Sequence, residues 1–278
     1  MSDPTPIYGF PEQWQEFNTR NYKFIAKLEN LTNLIDASFN EQPEQQEPID
    51  RALSVMSQLC VEDFLEILLL AGNGYGIAAQ KILRGLYERA VTMVYLSKHH
   101  EELDTYMNFY YISQQKIRRA TLETHGPESM SQKVWEPIER KYEELKENYL
   151  ITSCEKCKTQ RPNHTWSKLD IVTMAKQTGE LARLLVVGYL MPMSFAHATV
   201  HSMLARLRSD EHGRLSFNPE SRPGESDSSL HAGHNIVLIV LEELQKHFGI
   251  EGVKLKLNLC KHDFNWIYRG KVSGETPA

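Results

Sequence analysis

The chain has 278 residues, 41% of them hydrophobic and 24% charged, enough to bury a sizeable core as one large domain or two small ones. A net charge of -5 argues against a broad nucleic-acid-binding face, which needs surplus Lys and Arg, but leaves room for a local basic patch. The longest apolar runs, such as Phe64 to Gly72, fall well short of the roughly 20 residues of a membrane span. The start, Met1-Ser-Asp-Pro, lacks the basic and apolar regions of a signal peptide, and four cysteines do not make a secreted disulfide framework, so a cytoplasmic protein is expected.

In chain order, Trp14, Phe17, Phe24, Leu28, Leu31 and Ile35 recur at three- and four-residue steps and predict one helix from Phe10 to Phe39. A polar linker follows. Pro48 opens a second helix to about Ala71, ended by the breaker cluster Gly72-Asn-Gly-Tyr-Gly76. The third helix, about Ile77 to Lys98, is the least polar in the chain and so is expected at the centre. A tyrosine-rich fourth helix runs from about Glu101 to Thr124. A fifth, Glu128 to Tyr149, carries only a narrow apolar stripe (Val134, Ile138, Tyr142, Leu145), which fits a peripheral helix or an oligomer contact.

The segment from Ile151 to Trp166 reads as irregular. Ser167 with Asp170 resembles a capping box opening a sixth helix, closed by Gly179. The seventh runs from Glu180 to about Leu207 and meets Pro192, which removes a backbone hydrogen bond, so a kink or break is expected before Ser194. Arg208 to Ser229 reads as a polar loop. Ser228 or Ser229 caps an eighth helix ending at Gly249. The last segment, from Val253 to Ile267, alternates like a strand and also steps like a helix. With no other strand to pair with, helix is preferred. The fold class is therefore all-α, an irregular bundle of about seven to nine helices. The parts are an N-terminal helix and linker (1–47), a core helical domain (48–207), and a polar loop with C-terminal helices packed on the core (208–278).

Arg84 and Glu88 lie four apart on one face of the third helix, and Ile77, Val91 and Tyr95 fall within roughly 20° of Arg84. A charged pair amid apolar neighbours predicts a buried ion pair that fixes helix register. The competing reading is an arginine that holds an anionic ligand, with Glu88 as base or ligand. His197 and His201, also four apart, have the spacing of two ligands to one metal, with Glu88, His231 or His234 available as a third. Ala198 after His197 departs from the His-Glu-x-x-His zinc-protease pattern, so a buried, hydrogen-bonded core histidine is the plainer reading of His197. Cys154-x-x-Cys157 has zinc-ligand spacing but is half a site. His164, with Cys260 or His262, would have to complete it, and two ordinary loop thiols are the alternative. Zinc is the cofactor these spacings would call for.

Three stretches together resemble a bacterial all-helical domain-of-unknown-function family. They are Ala78 to Tyr95 with its Arg-x-x-x-Glu, Trp166 to Gly179 as a Trp-led short helix, and Tyr189 to His197 with its Tyr-x-x-x-x-Ser-x-x-His pattern. The resemblance covers about Leu53 to Leu207 and implies that Arg84, Glu88, Ser194 and His197 act together, without supplying a reaction. Pro192 and Ala198 depart from the family pattern.

Three functions compete. The first is an interaction or regulatory module, of the kind met in stress or phage defence, whose polar cluster is structural and which can form a homo-oligomer. The second is a metal-independent ribonuclease of the helical toxin or defence type, for which Arg206 and His212 have the Arg-x(4–6)-His spacing. The third is a metal-dependent hydrolase using His197, His201 and Glu88 with metal-bound water as nucleophile.

Overall fold

The structure, a computed structural model, describes residues 10, 12–44, 47–129, 131–154 and 157–269. The described chain is all-α apart from two small two-stranded sheets. It divides into two compact units, Met1–Ser97 with Met174–Ala278, and Lys98–Thr173.

The first unit opens with α1 (Gln13–Arg20), α2 (Tyr22–Ile25) and α3 (Leu28–Asn40). The single helix expected over this stretch is broken at Asn21 and again at Ala26–Lys27. Asn21 lies off helical geometry, and its side-chain amide donates 2.9 Å to Asp227, 206 residues on, where Arg20 also pairs. Next come α4 (Pro48–Gly72) and α5 (Gly76–Leu96). Helix α4 starts where local chemistry dictates. Pro48 stands in its first turn, and Glu47 and Asp50 form a reciprocal capping box, with the Glu47 amide donating 3.1 Å to Asp50.

The second unit contains α6 (Leu103–His125), α7 (Gln132–Leu145) and an antiparallel hairpin of β1 (Leu150–Cys154) and β2 (Thr159–Pro162). Its core is aromatic: Tyr149 is buried, its hydroxyl donating 2.7 Å to the Thr105 carbonyl, with Phe109 against its ring. No residue of α7 is fully buried: of the expected stripe, Ile138, Tyr142 and Leu145 are half-buried and Val134 is exposed.

Helix α8 (Ile171–Gln177) is capped by Asp170, whose carboxylate accepts 2.7 Å from the Thr173 amide, so the cap belongs to Asp170 and not to Ser167. The expected seventh helix falls into pieces: α9 (Glu180–Arg183), a π-turn at Val186–Leu190, α10 (Met191–Ala196) with Pro192 in its first turn, and α11 (Val200–Leu204). The polar loop holds a second hairpin, β3 (Leu207–Ser209) with β4 (Leu215–Phe217). Helix α12 (Pro223–Phe248) begins at its proline, five residues before the expected serine cap, and ends at left-handed Gly249. The last segment is helix α13 (Glu251–Tyr268).

Among the described residues thirteen α-helices thus stand where about seven to nine were expected, chiefly because two predicted long helices are each cut in three. The core of the first unit lies where α4, α5 and α12 pack on one another, through side chains such as Phe64, Leu83, Leu86, Val237 and Leu241. The least polar helix, α5, is central, as its composition predicted. Its outer side receives the π-turn and α10, and that contact builds the site. Among the described residues no helix is long and apolar enough to cross a membrane.

Candidate functional site

Helix α5 presents Arg84, Tyr87 and Glu88 within one turn of each other. Tyr87 points inward and is fully buried, its hydroxyl donating 2.9 Å to the Leu181 carbonyl at the start of α9. Tyr189, in the π-turn, stacks on Tyr87 with ring centres 5.9 Å apart. Gly188 permits this approach: a Cβ there would lie 2.7 Å from the Tyr87 ring. Arg84 then lies 5.5 Å from the centre of the Tyr189 ring, a cation–π contact.

The Arg84 guanidinium is shared between two partners. Nε donates 3.0 Å to Glu88 Oε1, and Nη1 contacts His197 Nε2 at 2.5 Å. Arginine has no acceptor, so in a hydrogen bond between them Nη1 donates and Nε2 accepts. Helix α10 delivers His197 because it stops there: His197 is extended (φ -109, ψ 163), and Thr199 starts the next helix by accepting from the Ser202 amide at 3.1 Å. The Thr199 hydroxyl also donates 2.5 Å to the Ser194 carbonyl, closing the turn. The Ser194 hydroxyl itself donates 2.6 Å to Met191 within its own helix. Ser194 therefore shapes the turn that holds His197.

The cluster is not buried as expected. The Arg84 and Glu88 side chains keep 22% and 39% of their exposure, and His197 is exposed. The magnitude matters here, because a half-exposed i,i+4 pair stabilises by about 0.3–0.5 kcal/mol. An interaction that small is a weak reason for keeping an arginine beside a histidine and a tyrosine on an accessible surface.

The break also undoes the i,i+4 relation of His197 and His201. The His201 ring packs edge-on against Phe195 at 4.9 Å. His231 stacks on Tyr268 at 4.3 Å, and His234 is buried among Phe24, Phe64 and Phe264. Burial pushes the His234 imidazole down to about 3. In the second unit, the Cys154 side chain lies outside the described residues, Cys157 Sγ is 2.9 Å from the Thr159 hydroxyl, and His164 Nε2 is 3.0 Å from Arg161. Cys260 is buried on α13, where burial pushes its thiol up to about 12, and His262 is exposed on the same helix. Among the described residues no three His, Cys, Asp or Glu side chains are grouped so as to hold a metal ion.

Arg206 and His212 are placed apart. The Arg206 guanidinium donates to the carbonyls of Asn218 (3.4 Å) and Glu220 (3.0 Å) at the base of the β3–β4 hairpin. His212 stands in its turn, its amide bonded to Asp210. Arg206 precedes β3 and His212 follows its far end, so the strand stands between them. The residues that sequence reasoning passed over are Tyr87 and Gly188. A glycine inside an otherwise helical pattern was the available signal for the second. Nothing local distinguished Tyr87.

Fold and site together define an all-α protein with an accessible Arg–Glu–His–Tyr cluster at a broken helix. The chain belongs to the family of unknown function DUF5677, whose model matches residues 50–214. The match takes in Arg84, Glu88, Tyr189, Ser194 and His197 and the whole second unit, and stops before α12. No curated protein and no solved structure matches the chain.

Proposed function

We propose that the chain is a cytoplasmic interaction module whose docking face is the stretch 186–217 around Arg84 and His197, and that a second copy docks there. The observation that carries this is exposed apolar surface concentrated in one segment. Each of its elements turns apolar side chains to solvent at its own period: Val186, Leu190 and Met191 on the π-turn and α10, Val200, Met203 and Leu204 on α11, Leu215 and Phe217 on β4. With Val187 there are nine such residues, each between 39% and 68% exposed. At about 100 Å² apiece they show on the order of 900 Å², against the ~800 Å² one partner contributes to a standard interface. Apolar patches of this size mark contact surfaces, and arginine and tyrosine are the residues that most often anchor them.

The test is the solution mass by light scattering at micromolar concentrations. The expected mass is twice 32.1 kDa, falling to one chain when Val200→Glu and Leu204→Glu are combined. Both side chains are exposed, so the change leaves the fold intact. A wild type that stays at one chain up to high micromolar concentration overturns the proposal.

A second reading rests on the pairing of Arg84 with His197: metal-free phosphodiester cleavage, in which Arg84 turns to the developing charge and so frees His197 Nε2 to act as base. RNA left intact by the purified chain, with His197→Ala indistinguishable from it, removes that reading.

A further inference from the structure

The second unit carries a basic cavity that the proposed docking face does not use. Helix α6 turns one face into it: Ile112, Gln115, Lys116 and Arg119 stand at i, i+3, i+4 and i+7. Tyr142 of α7 closes one side, and Arg161, Pro162 and His164, from β2 and the residues after it, close the other. The volume is about 230 Å³.

Three arginine or lysine side chains meet here, and among the described residues no carboxylate lines the cavity. None of these contacts is to a carboxylate: Lys116 donates to the Asn163 carbonyl at 3.4 Å, Arg119 to the Tyr142 hydroxyl at 3.2 Å, and Arg161 lies 3.0 Å from His164 Nε2. Like charges held together without a counter-ion repel one another, so the arrangement is disfavoured in isolation and favoured by an anion. The net charge of the unit does not explain it, since Lys98–Thr173 contains 12 Lys and Arg against 12 Asp and Glu. Gln115 gives an independent sign. It is 5% exposed, it lines the cavity, and its Oε1 has no hydrogen-bond partner. A buried amide left unpaired is costly, and the amide can turn its NH2 toward an incoming acceptor.

The floor decides what kind of anion fits. Ile112, Pro162 and the Tyr142 ring are apolar, and Arg119 lies 5.7 Å from the centre of that ring, holding it in place. An inorganic anion would leave the floor unused, and an apolar ligand would leave three cations unpaired. We propose that this cavity binds a nucleotide, with the phosphate on Lys116, Arg119 and Arg161 and the base on Tyr142, Ile112 and Pro162. A second cavity of about 230 Å³ adjoins it, sharing Ile112, Tyr142 and Pro162. The nucleotide can therefore be free or one unit of a single strand.

The test is calorimetric titration of the full chain with adenosine 5′-monophosphate, adenosine, inorganic phosphate and a short single-stranded oligoadenylate. The monophosphate is expected to bind at least tenfold more tightly than adenosine or phosphate alone. Arg119→Ala and Arg161→Ala should each weaken it by about tenfold. Both side chains are exposed, so folding is retained and is checked by circular dichroism. Arg118→Ala, whose side chain pairs with Glu139 at 2.9 Å away from the cavity lining, should change nothing. An oligoadenylate that binds more tightly than the monophosphate and is weakened by the same variants identifies a strand as the source. Equal or weaker binding identifies the free nucleotide. The proposal fails if neither probe binds at millimolar concentration, if adenosine binds as tightly as its monophosphate, or if the Arg119 and Arg161 variants bind like wild type.

Discussion

Gly188→Ala tests the architecture of the Arg84 site through a single added methyl. The new Cβ would lie 2.7 Å from Cδ2 of Tyr87, 3.3 Å from Cγ and 3.4 Å from Cε2, where carbon pairs prefer about 3.5–4.0 Å. Tyr87 has nowhere to retreat, being fully buried and tied by its hydroxyl to the Leu181 carbonyl. Relief must come from the π-turn, which carries Tyr189. Overpacking of this kind costs about 1–3 kcal/mol, partly offset by the ~1 kcal/mol that alanine gains over glycine in helical backbone. At a contact this short the net loss should be about 1–2 kcal/mol. Gly85→Ala is the matched control: it lies in the middle of α5, one residue from Arg84, and its Cβ would meet nothing within 4 Å. That change should stabilise by about 1 kcal/mol. The assay is urea unfolding followed by circular dichroism, comparing midpoints at unchanged slope. If the two variants are equally stable, the packing of Tyr87 against the turn is not as described.

Two pH effects of opposite sign are expected in the first unit. Asp63 is pushed up to about 6 by burial, against the pull of Arg89, whose Nε lies 3.2 Å away as an ion pair without hydrogen-bond geometry. Between its unfolded value of 3.8 and about 6 the folded state binds the extra proton, so its contribution to stability falls as pH rises through that window. Asp63→Asn should remove that component of the slope in unfolding midpoints measured from pH 4 to 7, and an unchanged slope contradicts it. His234 behaves oppositely: with a folded value near 3 against 6.5 unfolded, it withdraws stability as pH drops below 6.5. Neither ring nitrogen of His234 has a hydrogen-bond partner, so His234→Leu should unfold at lower pH than wild type and be no less stable at pH 7; identical acid midpoints refute this. Arg84→Ala should cost under about 0.5 kcal/mol of folding stability yet weaken self-association at least tenfold. A large stability loss with dimerisation intact would return the cluster to a purely structural role.

What the sequence revealed depended on how far each signal had to reach. Helix α4 was legible to within a residue because its start and stop are local: Pro48 and the Glu47–Asp50 box at one end, a glycine cluster at the other. The helical reading of α13 also held, although its premise that the chain has no other strand did not: the four strands present pair within their own hairpins. The break at Asn21 was not legible, since its side chain bonds to Asp227, 206 residues away. The two hairpins carry neither an Asn-Gly nor an Asp-Gly turn, and Gly213, left-handed in the second, was the one local sign of either. The site divides the same way. The Arg84–Glu88 spacing gives one helical face directly, but the third member, His197, is 113 residues from Arg84 and comes into reach only because α10 stops there. That stop is stabilised by Thr199, whose hydroxyl caps the following helix and ties back to Ser194. Continuing the helix through His197 aligned it with His201 as a metal-ligand pair, which the break undoes. The burial expected of Arg84 and Glu88 came from their apolar neighbours on α5, and the side chains instead keep 22% and 39% of their exposure. The cluster depends on that interruption, because extended backbone at His197 is what sets its ring against Arg84.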